Sequence, residues 1–127
     1  MNDSVARNKR AARLLSDLDP RLLDFLKKKA NTFVKWDLIQ FFHENPHTTD
    51  TAENIGRYTG RDPIIVTNEL SDLVQSGVLN SSQVGDLTIF TLSPDTELRE
   101  LVSMFVNSSE DRQFRVKAIY HVMRAMK

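Results

Sequence analysis

The stretch TGRDPIIVTNELSDLVQSGVL, residues 59–79, limits the possible folds more than any other part of the chain. Gly60 permits a sharp turn, Asp62 is a good N-cap and Pro63 a good first helical residue, so a helix starts there. Val66, Leu70, Leu73 and Val74 fall on one face of it, and Gly77 ends it. Ahead of the turn, Asp50 or Thr51 can cap a short helix running to Tyr58, with Glu53 at the capping-box position. Behind it, Val78-Leu79 and Leu87 to Leu92 read as short strands around Gly85-Asp86. The expected order is therefore short helix, tight turn, helix, hairpin.

The flanking segments are helical by the same reasoning. Val5, Ala12, Leu15 and Leu18 have helical spacing over residues 4–18, and Pro20 opens a second helix with Leu22, Leu23, Phe25 and Leu26 as its buried stripe. Asn31-Thr32 caps a third, in which Val34, Leu38, Phe41 and Phe42 recur, with Trp36 and Ile39 widening the apolar face until Pro46. Ser93-Pro94-Asp95 starts another helix, with Leu98, Leu101, Val102 and Phe105 facing inward. A last one from about Glu110 carries Phe114, Ala118, Val122 and Ala125, with Ile119, Met123 and Met126 beside them. At 127 residues and 40% hydrophobic content the chain suits one modest core.

The signs of charge are segregated although the net charge is zero. Residues 1–50 hold nine basic and seven acidic side chains, residues 51–108 three basic and eight acidic, and residues 109–127 five basic and two acidic. The middle is acidic and both ends are basic, and the helix after Arg61 carries Glu69 and Asp72 with no Lys or Arg. With no cysteine there are neither disulfides nor thiolate metal ligands. The charged N-terminus has no apolar run of signal-peptide length and no stretch approaches the roughly 20 apolar residues of a membrane span, so a cytoplasmic protein without membrane contact is expected.

Catalysis is not expected. No nucleophile stands with a base, no paired carboxylates are marked out, and the four glycines, at 56, 60, 77 and 85, form no phosphate-cradling loop. His43 and His47 stand four apart, but Pro46 ends the helix between them, and no metal or other cofactor is expected. His121 reads as a surface or interface residue.

Over residues 33–94 the chain resembles the winged helix-turn-helix superfamily, most nearly its MarR-like and ArsR-like bacterial and archaeal transcription regulators. Thr51 to Gly60 matches T-A-E-x-I-G/A-x-x-x-G, Val66 to Val78 matches V-S/T-x-x-L-x-x-L-x-x-x-G-hydrophobic, and Phe90 to Pro94 matches an aromatic followed by x-L-S/T-P. The resemblance implies a mainly α fold with a small β-hairpin, a single winged-helix domain over residues 1–127. Residues 1–31 would be N-terminal helices, 32–94 the core, and 95–127 C-terminal helices.

It further implies a DNA-binding transcription regulator acting as a homodimer, with its recognition helix at about 62–76 and its wing at about 79–92. Carried over by position, the places that face double-stranded DNA are Ile64, Ile65, Thr67, Asn68, Ser71 and Asp72, of which Thr67, Asn68 and Ser71 can bond base edges; Arg57 and Arg61, which flank the turn, can touch phosphate. Leu14, Leu15, Leu18, Phe114, Ala118, Val122 and Met126 would form the dimer interface, unless the terminal helices fold back on the chain's own core. The wing tip, Ser81 to Asp86, departs from the family in having no basic residue. The alternative is a winged helix that binds protein through Ile64 and Ile65, an apolar pair ringed by acids, unless Ile65 packs under Tyr58 or the first helix of the core.

Overall fold

The computed structural model describes residues 18–125. Among them the chain is mainly helical with a small antiparallel sheet, in the order α1 (Pro20–Lys28), α2 (Phe33–Glu44), β1 (Thr49–Thr51), α3 (Ala52–Thr59), α4 (Pro63–Gln75), β2 (Leu79–Val84), β3 (Leu87–Leu92), α5 (Thr96–Ser108) and α6 (Arg112–Ala125). This layout is compatible with a winged helix.

Local chemistry sets most of the boundaries. Asp19, Thr32, Thr51, Asp62 and Asp95 are N-caps, each accepting a backbone N–H of the first helical turn, and Pro20 and Pro63 occupy opening positions that need no donor. At α3 the expected capping box is replaced. Glu53 reaches forward to Arg57 at 3.2 Å, and Asp50 accepts the Thr51 N–H and the Asn54 side-chain amide, both at 2.8 Å. Val78 N–H closes the end of α4 on the Leu73 carbonyl at 2.9 Å.

The sheet is larger than a hairpin. Its strand order is β1-β3-β2, so β3 is central and pairs antiparallel with both neighbours. Thr49 to Thr51 carry no apolar alternation to announce a strand; they form one by pairing with Thr91, Phe90 and Ile89. On the other side Leu79 pairs with Leu92 and Val84 with Leu87, which leaves only Gly85 and Asp86 in the turn. Ser81 to Val84, expected at the wing tip, are strand residues instead.

One hydrophobic cluster joins all six helices with β2 and β3. Phe105 of α5 stands at its centre, with ring centroids 5.4 Å from Phe25, 5.8 Å from Trp36 and 6.2 Å from Phe114. Each fully buried side chain of this size contributes about 1.5–3 kcal/mol. The Trp36 indole N–H donates to the Ala30 carbonyl at 2.6 Å, which satisfies the polar end of a ring otherwise packed among aromatics.

Leu18, Phe114, Ala118 and Val122, assigned to a dimer interface, are buried in the single chain, and the first three belong to its core cluster. The apolar groups that α6 leaves exposed are Val116, Ile119 and Met123. Leu14, Leu15 and Met126 lie outside the described residues, as does the helix expected over residues 4–17.

Candidate nucleic-acid interface

The face that would read DNA is built from α3, the turn after it, α4 and the β2–β3 hairpin. α3 and α4 approach closely because Gly56 has no side chain: a Cβ there would stand 3.1 Å from the Arg61 carbonyl oxygen and 3.4 Å from Pro63 Cα. Gly60, with φ at +69°, then reverses the chain in the left-handed region that other residues seldom adopt. Val66, Leu70 and Leu73 anchor α4 in the core, which turns Ile64, Thr67, Asn68 and Ser71 outward.

The acids of α4 have a partner behind the helix. Lys35, in the buried stripe of α2, is only 6% exposed. Its ammonium donates to Asn31 Oδ1 at 2.8 Å and to Asp72 Oδ2 at 3.2 Å, and lies 3.4 Å from Glu69 Oε2. Thr32, which caps α2, also donates to Glu69 at 2.9 Å. A buried ammonium without partners is costly, and α4 supplies two carboxylates to hold it. Glu69 and Asp72 therefore brace α4 against α2. Lys35 was legible in principle, since it falls at i in the series with Leu38, Ile39 and Phe42.

Beside the half-exposed Asp72, the outward side chains Thr67, Asn68 and Ser71 are neutral. Thr67 Oγ1 donates back to the Pro63 carbonyl at 2.7 Å, leaving its oxygen as an acceptor, while the side chains of Asn68 and Ser71 make no hydrogen bond among the described residues. The two expected phosphate contacts are both engaged. Arg57 pairs with Glu53 one turn earlier at 3.2 Å, and Arg61 pairs with Asp37 of α2.

Between α4 and the hairpin runs a groove of about 320 Å³, lined by Thr51, Glu53, Thr67, Ser71, Asp86 and Thr88 among others, with two carboxylates and no base. Lys28 and Lys29 lie instead beside Gln75 and Ser76, at the far end of α4.

The same elements, α3, α4 and the β2–β3 hairpin, carry five exposed apolar side chains. Ile64 is 74% exposed, Tyr58 63% and Ile65 49%, and Tyr58 stacks on Phe41 with centroids 6.0 Å apart. Val84 and Leu87, paired across the hairpin end, are each 57% exposed. α2 ends at Glu44, so His43 and His47 share no helical face. Among the described residues no helix is long and apolar enough to cross a membrane.

No family model matches the chain, and no curated protein matches it. Among solved structures it is similar to a "Possible transcriptional regulator from Methanosarcina mazei Go1", at 16% identity over 82% of this chain and 80% of that one, with a TM-score of 0.45.

Proposed function

We propose that the chain is a dimeric, DNA-binding transcription regulator in which α4 is the recognition helix and the β2–β3 hairpin the wing. The observation that carries this reading is the turning of Glu69 and Asp72 onto Lys35. One ammonium offsets one of the two negative charges and draws both acids toward α2, which leaves Thr67, Asn68 and Ser71 as a neutral, hydrogen-bonding row on an outward helical face. Asn68 suits adenine through its paired donor and acceptor. The ion pairs of Arg57 and Arg61 do not bar phosphate contact, because exposed pairs are worth about 0–1 kcal/mol and exchange readily for a phosphate oxygen.

The test is binding to labelled random-sequence duplex across a salt series, followed by selection from a random library. Binding should weaken steeply with salt, and an enriched palindrome should lose roughly ten-fold or more in affinity on Asn68→Ala. Absence of binding at low salt would defeat the proposal.

That outcome would favour a second reading, in which the face docks a protein. The exposure of Tyr58, Ile64, Ile65, Val84 and Leu87 on α3, α4 and the hairpin, the elements that line the acid-bearing groove, supports it.

A further inference from the structure

Away from α4, a cleft of about 360 Å³ opens between α2 and the corner where α5 meets α6. Its size falls within the roughly 300–1,000 Å³ of small-molecule sites. Trp36 forms an aromatic wall, and Asp37, Gln40 and Glu44 continue along α2; Glu110 and Arg115 face them from the corner. Three carboxylates thus stand against one guanidinium of the lining, Arg115, itself donating to the Ser109 carbonyl, and a second, Arg61, that reaches Asp37 from outside it.

Each carboxylate keeps an unengaged oxygen. Glu44 accepts from Gln40 through Oε1 alone, at 3.0 Å, and Asp37 meets Arg61 through Oδ2 alone. The side chain of Glu110 makes no hydrogen bond or ion pair among the described residues.

We propose that this cleft binds an organic cation: an ammonium or amidinium group carried on a flat apolar body. The carboxylates meet the charge, and the part of the indole that lines the cleft gives an apolar body something to pack on. An anion is disfavoured by the sign of the field, and a neutral apolar body would bury carboxylates without compensation.

The cleft also connects to the turn between α3 and α4. Arg61 reaches Asp37 from that turn, with Nε 3.1 Å from Oδ2. A bound cation competes with Arg61 for the same carboxylate and, when it wins, releases a guanidinium beside the N-terminus of α4. The binding itself goes beyond DNA reading and does not depend on it.

Trp36 is the chain's one tryptophan, so its fluorescence reports the cleft directly. The full chain is titrated with benzyltrimethylammonium, benzoate and benzyl alcohol. The cation should give a saturable change with a Kd of about 0.1–1 mM, the other two only a linear, collisional one. Asp37→Asn and Glu44→Gln should each weaken cation binding, by roughly five-fold for Asp37, whereas Arg61→Gln should tighten it about three-fold by removing the competitor. All three residues are surface groups, and circular dichroism checks that each variant folds. Saturable binding of benzoate, no saturable response to the cation, or a Kd unmoved by all three substitutions would overturn the proposal.

Discussion

At the scale of single residues, burial and charge decide what a side chain does, and two examples go opposite ways. Lys35 is buried and becomes structural because three oxygen-bearing side chains converge on it. His121 is partly buried on α6 and has no such help: burial first, then the positive charges of Lys27 and Arg124, hold its imidazole below its ordinary value. A histidine with a depressed folded pKa is harder to protonate in the native state. Its favourable contribution is complete above the unfolded value of about 6.5 and is lost as pH falls through the folded value. Thermal melts between pH 7.5 and pH 5 should therefore show less acid destabilisation in His121→Gln than in the parent; equal slopes would remove this role. The sequence places His121 among bases, but only the packing of α1 against α6 brings Lys27 to it.

At the scale of elements, α2 and α4 are joined by apolar packing and by the Lys35 cluster together. Glu69 is mostly covered and Asp72 half exposed, so the two carboxylates do not contribute equally. Breaking a buried pair by removing one partner costs up to about 3–5 kcal/mol, and the partial exposure here lowers the expectation to roughly 1–3 kcal/mol for Lys35→Met. In a double-mutant cycle with Glu69→Gln, measured by urea denaturation, the coupling should be about 1 kcal/mol or more. Additive losses would show that the acids of α4 are not held by Lys35. Helix starts were legible because caps and prolines act locally, over three or four residues. β1 was not, because Thr49 to Thr51 become a strand only through β3, forty residues away in the paired register.

For the whole molecule, the question is where the remaining apolar surface goes. Phe114, Ala118 and Val122 are covered by the chain itself, and Val116, Ile119 and Met123 are left on the outside of α6 at helical spacing. The proposed dimer would bury these three. Light scattering at micromolar concentration should then give about twice the 14.6 kDa chain mass, and Ile119→Glu should return it to the monomer value. A parent already at 14.6 kDa would exclude this assembly. The five exposed apolar groups Tyr58, Ile64, Ile65, Val84 and Leu87 belong to α3, α4 and the hairpin, not to α6, so they and the proposed dimer can be tested by separate substitutions.

The sequence by itself determined the order of the helices and the hairpin, since glycine, proline and capping side chains act on their near neighbours and helical spacing needs nothing beyond the helix. It also determined that α4 lacks basic side chains. It could not decide what the acids of that helix face, because Lys35 is 34 residues from Glu69 and 37 from Asp72, and only packing brings them within hydrogen-bond reach. The same holds for Arg61, whose partner Asp37 lies on another helix, and for α6, whose inward and outward stripes are both apolar. Periodicity marks a face as apolar; tertiary structure alone decides which of two apolar faces the chain buries against itself.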